Sequence, residues 1–369
     1  MGVLSGVCPQ RRLVAVSESE VFIRVGGPLT DQKKVLKDCA GTRLSSFEIK
    51  QNRCPSPFGS VKPAVRPVLI LLLLCSFLVY GSEILLIHAN DFGRQCTDLM
   101  QASKQTAKQF KFAMVTCSDG ASTIPQRSFE GIIELVTPNK KRYVQRHGYD
   151  FIDASDLLDR ARPPSWSKII AVRKYLPNYD WIFWNDVDSL VTNPSIALED
   201  IIGSIAGNAN FEDMPDFIVT EDVTGVNAGM FFVKNSKWSE DFLDIWWNQT
   251  SFIRPFGHVK SGDNDALKFL IENIPEKEKE RHMRIPHMQC VFNSHLWRPS
   301  FRNSHRLVTL TRTVWQGVYS KGDFMVHLAG LNDKKKWIQR ILREIEDEET
   351  APQISENKNF IASLEIDRQ

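Results

Sequence analysis

Two aspartates one residue apart, Asp186 and Asp188, follow the apolar run Trp181–Trp184 in "DWIFWNDVDSLVTNPS". On an extended chain, side chains two apart point to the same face, so two like charges meet where the run ends. Two hard carboxylates in that relation suit an oxygen-coordinated divalent cation, Mn²⁺ or Mg²⁺, that keeps open positions for substrate phosphates. A solvated turn with one aspartate capping the next residues is the bland use of the same pattern. A strand buried on both faces that delivers the pair into a crevice favours the cation. The triplet recurs at Asp263 and Asp265 in "GDNDALKFLI", so context must separate the two copies. His327, in "DFMVHLAG", is a candidate third donor, and imidazole beside carboxylates tilts the choice toward Mn²⁺. A lone histidine is also commonly structural, so spacing by itself leaves its role open.

The elements that would position these residues are legible as punctuated patterns. "FAMVTC" (112–117) is a short apolar run stopped by Ser118, Asp119 and Gly120, and "YDFIDAS" and "WIFW" are further strand candidates. Between them, "NKKRYVQRHG" is helix-tolerant and ends at Gly148. Ser165 can cap a helix whose apolar face carries Ile169, Val172 and Leu176 before Pro177. This alternation predicts an α/β fold with a mostly parallel central sheet flanked by helices. Later strands are expected in "DFIVTED", "AGMFFVKN" and "DFMVHLAG", and amphipathic helices in "WSEDFLDIWWNQ" and "DNDALKFLIENI". Ligands bind at the carboxyl ends of parallel strands in such sheets, which is where Asp186 and Asp188 fall.

The 369 residues are 42% hydrophobic and 24% charged, a globular composition sufficient for one large domain or two small ones. A net charge of +2 with interspersed signs gives no reason to expect a nucleic-acid partner. Residues 1–66 are the exception, with eleven Lys plus Arg against five Asp plus Glu, and read as an unstructured tail. Residues 67–89, "PVLILLLLCSFLVYGSEILLIHA", approach the roughly 20 apolar residues that cross a bilayer. A signal-peptide hydrophobic region or a buried segment would look similar. Lys62 and Arg66 before this stretch place the N-terminus in the cytoplasm and the rest of the chain in a lumen, a single-pass type II arrangement. Residues 90–111 read as a polar stem and 346–369 as a charged tail. Of seven cysteines only Cys96, Cys117 and Cys290 follow the apolar segment, and no C-x-x-C occurs, which allows one disulfide there at most. Asn248 in "NQT" fits an N-glycosylation acceptor.

Five segments, "NKKRYVQRHGYDFI", "RPPSWSKIIAVRKYLPNYDWIFWNDVDSLVTNPSI", "GVNAGMFFVKNSKWSEDFLDIWW", "GDNDALKFLI" and "GDFMVHLAG", follow one another in an order and spacing similar to glycosyltransferase family 34. That group includes galactosyl- and mannosyltransferases and xyloglucan xylosyltransferases, and the resemblance covers roughly Phe112 to Trp337. It implies a GT-A domain over 112–345, a nucleotide-sugar donor, Mn²⁺ dependence and retention of anomeric configuration. By position, Asp186, Asp188 and His327 match metal ligands on the donor diphosphate, and Gly330 a backbone approach to it. Thr116 and Ser118 match nucleotide contacts, Lys168 a lysine near the donor, and Asn227 a residue facing the sugar, with Ala228 and Gly229 leaving space. Asp263 and Asn264 match an acid–amide pair beside the reacting carbon. Two departures stand out: glutamine is usual where Asn264 stands, and an apolar residue where Asn185 stands.

The resemblance implies a galactose or xylose transfer, among hexosyl and pentosyl groups, to a glycan or polysaccharide acceptor. It also implies a Golgi or endoplasmic reticulum membrane location and leaves room for homo- or hetero-oligomers with other transferases. A catalytically silent glycan-binding or scaffolding member of a transferase complex is the alternative that Asn185 and Asn264 suggest, and a metal-dependent hydrolase is a third reading.

Overall fold

The computed structural model describes residues 65–93, 110–120, 128–207, 209–258, 260–298 and 300–348. The expected tails over 1–66 and 346–369 and the stem over 90–111 therefore lie almost wholly outside the described residues. A 29-residue helix, α1 (Val65–Gly93), carries the apolar segment. Its Val65–Ser82 window has a mean hydropathy of 2.0, is long and apolar enough to cross a membrane, and has none of its residues buried.

Residues 110–348 are organised by two strands whose side chains are apolar on both faces. In β1 (Phe112–Thr116) and β3 (Trp181–Asn185) every residue is buried. Alternation sends Phe112, Met114, Trp181 and Phe183 into one core, while Ala113, Val115, Ile182 and Trp184 enter the other. The first core is covered by α2 (Ile132–His147) and α4 (Leu198–Ala206); the second by α3 (Ser167–Tyr175), α5 (Lys237–Trp247) and α6 (Asp263–Asn273). A strand buried on both sides has no use for polar alternation, which is why "WIFW" is unbroken.

The main sheet has the order β2-β1-β3-β6-β5-β7, with β2 at Asp150–Asp153, β5 at Phe217–Asp222, β6 at Gly225–Lys234 and β7 at Met283–Arg284. β1 is parallel to β2 and β3, as the strand–helix alternation leads one to expect. β6 runs antiparallel to both β3 and β5, so the sheet is mixed. A second sheet, β4-β9-β8, joins Ser189–Val191, Met325–His327 and Ser294–His295. A third core beneath it takes Val187 and Leu190 together with Ile338 and Ile341 from α10, a helix over 334–348. Three further helices complete the described chain: α7 (Glu276–His282), α8 (Phe301–Thr309) and α9 (Thr311–Gly317).

Two local expectations are revised. α2 starts at Ile132 rather than at Asn139 and runs through Pro138, because Ile132 and Val136 bury in the third core and outweigh the missing proline N–H. It stops where expected, at Gly148 (φ 73°), whose N–H reaches the Val144 carbonyl. Ser165 does not cap α3; it lies in a single 3₁₀ turn, Pro164–Trp166, and its hydroxyl is taken by Asp263 at 2.8 Å.

Inside α2, Asn139 is buried and uses its amide in both senses on β4, donating to the Val191 carbonyl at 2.9 Å and accepting from the Val191 N–H at 2.9 Å. Asn139→Ala strands two buried backbone groups and is expected to cost about 2–5 kcal/mol in chemical denaturation. An unchanged unfolding midpoint would mean that β4 does not depend on this clamp.

Candidate functional site

Asp186 and Asp188 lie in the turn between β3 and β4, and Val187 between them points away into the third core. The turn thus keeps the same-side relation of the two carboxylates, and each has a lysine on one oxygen. Asp186 Oδ1 accepts from Lys168 Nζ at 3.2 Å and from Trp184 Nε1 at 2.9 Å; Asp188 Oδ2 accepts from Lys334 Nζ at 2.6 Å. The repulsion expected between the two aspartates is therefore relieved in part by the protein's own ammonium groups.

The remaining oxygens converge on one histidine nitrogen: His327 Nε2 is 4.0 Å from Asp186 Oδ2 and 3.5 Å from Asp188 Oδ1. One donor atom from each residue lies within 4.8 Å of the others, and among the described residues this is the one such group of carboxylate, histidine or cysteine donors. The ring's other nitrogen, Nδ1, is 3.0 Å from Asn293 Oδ1, and Asn293 Nδ2 donates to Thr220 Oγ1 at 2.9 Å. That chain makes Asn293 Oδ1 the acceptor of the Nδ1–H, which leaves Nε2 as the nitrogen turned to the aspartates. Pairing of β4 with β9 in the register Ser189↔His327 brings the ring there.

Gly229 supplies the space. A Cβ at this position would fall 2.1 Å from His327 Cε1 and 2.9 Å from Nδ1, so the absent side chain makes room for the imidazole. The "NAG" segment was expected to leave space near the sugar; here Gly229 leaves it for the His327 ring.

The charges are arranged around burial. Burial opposes the ionised form of Asp188, but Lys334 and then His327 outweigh it and hold the carboxyl well below the usual carboxylate range. Burial likewise disfavours charge on Lys168, yet Asp186 and Asp263 together keep its ammonium above the ordinary lysine value. Asp263 is lowered, with burial overcome by Lys168 and by the hydroxyls of Ser261 and Ser165. Burial pushes Lys140 down to about 7 against the pull of Asp188 and Asp186, and its Nζ lies 3.3 Å from the Asp186 carbonyl oxygen.

A cavity of about 470 Å³ opens onto this cluster. Of the ten residues to which the resemblance gives a metal, donor or reacting-carbon role, nine line it, all but Thr116. Thr116 does not line it: the residue is fully buried and its Oγ1 has no hydrogen-bond partner. Ser118 lines it, with its backbone N–H donating to Ser155 Oγ at 2.9 Å. Gly330 sits on the wall with φ 67°, a conformation that favours glycine. Asn227 is held by Asp222 Oδ2 at 2.7 Å and by the Gly229 N–H at 2.8 Å, while Asn264 Oδ1 accepts from the Ala228 N–H at 2.6 Å. Lys168 is 2% exposed, so its ammonium is a buried charge and not one carried on a solvated helix face.

The galactosyl transferase GMA12/MNN10 family matches residues 108–206 and 208–337, a span that includes every residue of this cluster. The chain belongs to this family. It is 30% identical over 165 residues to the probable alpha-1,6-mannosyltransferase MNN10 of Saccharomyces cerevisiae, covering 37% of this chain and 42% of that protein. It is 23% identical over 246 residues to an alpha-1,2-galactosyltransferase of Schizosaccharomyces pombe, covering 57% and 59%. The chain thus spans about half the length of these relatives. Among solved structures, a glycosyltransferase involved in the glycosylation of the major capsid of PBCV-1 aligns with 63% of this chain and 99% of that one, at 15% identity and a TM-score of 0.40.

Within this family member the two D-x-D triplets part company. Asp263 and Asp265 open helix α6, where residues two apart diverge. Asp263 is buried against Lys168 at 3.1 Å, while Asp265 turns to Arg254 and Lys260 at the surface. Asn185 is also accounted for: it is fully buried at the end of β3 and donates to the Val115 carbonyl at 3.2 Å, tying β3 to β1. Sequence reasoning missed Lys334, Lys140 and Asn293. The lysines stand in "DKKKW" and "NKKRY", runs that read as solvated charge, and nothing linear marks Asn293.

Gly229→Ala is expected to displace His327 and weaken Mn²⁺ binding about 10–100-fold by calorimetric titration, the usual scale for disturbing a ligand's support. Unaltered affinity would remove His327 from the ligand set. Asp188 has a depressed folded pKa, so its stabilising contribution is full above the ordinary aspartate value of about 3.9 and is lost as pH falls through the folded value. Stability of the metal-free protein should therefore drop below about pH 4, with a shallower acid limb in Asp188→Asn. Equal acid limbs in both proteins would contradict the assignment.

Proposed function

We propose that this chain is a metal-assisted retaining glycosyltransferase that moves a hexosyl or pentosyl group, galactose or xylose favoured, from a nucleotide-sugar to a glycan acceptor. The observation that carries this reading is the convergence of Asp186 Oδ2, Asp188 Oδ1 and His327 Nε2 at the mouth of a cavity large enough for a substrate. Two hard oxygens with one imidazole suit Mn²⁺, with Mg²⁺ second, and Gly229 and Asn293 fit the ring to that task. Bound there, the ion would stabilise the negative charge of a departing diphosphate.

The protein's own groups do the rest. Gly330 presents backbone to the phosphates without a side chain in the way. Asp263 receives Ser165, Ser261 and Lys168 and so is not disposed as a free nucleophile; this favours same-face attack over the two-carboxylate double displacement of retaining glycosidases. Its role is to fix Lys168, whose ammonium carries positive charge to the donor side of the cavity. Asn264, anchored through Oδ1, leaves its Nδ2 to orient the sugar. The relatives bearing mannosyl and galactosyl names support a glycan acceptor. The apolar helix α1, a disulfide-bonded Cys290 and the exposed Asn248 of "NQT" favour a lumenal domain on a Golgi or endoplasmic reticulum membrane. The silent alternative loses one of its motives, because Asn185 has a structural task.

UDP-galactose, UDP-xylose and GDP-mannose offered with Mn²⁺ should include one that raises the melting temperature and is consumed with an acceptor. At about 100 times its dissociation constant a ligand stabilises by roughly 2.7 kcal/mol. Asp186→Ala with Asp188→Ala should cut turnover by about 10²–10³-fold, the several kcal/mol that a metal contributes to such chemistry. Glycan binding without turnover of any donor would favour the silent reading instead.

A further inference from the structure

The chain between β8 and β9 carries a surface that the cavity does not use. From Trp297 to Gly317 it contains Arg298, Arg302, Arg306 and Arg312 and no Asp or Glu. Helix α8 begins at Phe301, capped by Ser300 Oγ on the Asn303 N–H. Phe301 and Val308 are seven residues apart and share one face. They are 73% and 81% exposed. Leu307, on the opposite side, packs with Val314 and Val318 and fixes which face looks outward. Arg302 is exposed about 100° round the helix from Phe301, and Arg306, half-buried, follows one turn later on the same side.

An outward apolar stripe with an exposed arginine to one side, in a stretch without acid, fits a helix lying in a membrane interface. The apolar side chains enter the acyl boundary while the guanidinium groups meet lipid phosphates. A second observation points the same way: the apolar helix α1 packs beside α8. We propose that α8 docks on the phospholipid surface of the membrane in which α1 is embedded, its apolar pair entering the acyl boundary and Arg302 meeting headgroup phosphate. The proposal rests on the reading of α1 as an anchor. Because α8 and α9 are inserted between His295 and His327, docking would hold the cavity at a set height above the bilayer and favour acceptors displayed close to it.

The test uses the full chain reconstituted in phosphatidylcholine vesicles with phosphatidylinositol and a phospholipid bearing a photoactivatable acyl chain, with adducts mapped by mass spectrometry. Adducts are expected in α1 and separately in Phe301–Leu310. Phe301→Glu with Val308→Glu should lower the α8 adducts about tenfold while α1 adducts and melting temperature stay unchanged. Arg302→Gln should lower them in phosphatidylcholine alone as well as in vesicles containing phosphatidylinositol, because both lipids carry the headgroup phosphate that the guanidinium would meet. Adducts confined to α1 would overturn the proposal and leave the anchor standing. Capture of a second copy of the chain at α8 in place of lipid would also overturn it, and loss of the chain from vesicles on alkaline extraction would remove the anchor and the docking together.

Discussion

The site depends on one buried cation, Lys168. Its ammonium lies 3.2 Å from Asp186 and 3.1 Å from Asp263 and donates to the Ala228 carbonyl at 2.9 Å. It thereby joins the β3–β4 turn, the start of α6 and the "NAG" segment of β6. A buried charge with one partner removed is strongly destabilising, so these three pieces are bound to one another by the cost of leaving any of them. Lys334 does the same for Asp188 and for the end of β9 through the Leu328 carbonyl. The carboxylates consequently keep one oxygen each for a ligand and spend the other on their own fold.

Much of this architecture could be read in the chain. The unbroken apolarity of "FAMVT" and "WIFW" marks strands buried on both faces, and the core assignments follow from simple alternation. Gly148 ends its helix because the left-handed conformation there suits glycine. Direction was less legible. A strand's sequence says that it is buried and does not say which way it runs, so the antiparallel course of β6 follows from its connection to β5 rather than from any residue.

At the site, the residues with distinctive chemistry were legible and those supporting them were not. Asp186, Asp188 and His327 carry recognisable donors, and the structure gathers them. Lys334, Lys140 and Asn293 are ordinary residues made important by burial, and burial is a property of the three-dimensional neighbourhood. Gly229 was noticed for its smallness, yet what needed the space could be seen only with β9 in place. Thr116, expected from the resemblance to contact the nucleotide, is fully buried and does not line the cavity.

The pairing of β4 with β9 has a consequence for biosynthesis. Asp188 and Lys334 are separated by 146 residues, and His327 reaches Asp186 only when the last strand has joined the second sheet. Contacts of such long range form late, since the loop they close must be ordered first. The central strands can assemble while the segment that carries β9 is still emerging from the ribosome, whereas the Asp186, Asp188 and His327 cluster cannot. Gathering of Asp186, Asp188 and His327 is thereby deferred until β9 and Lys334 have emerged, and a chain terminated before β9 would carry the sheet without that cluster.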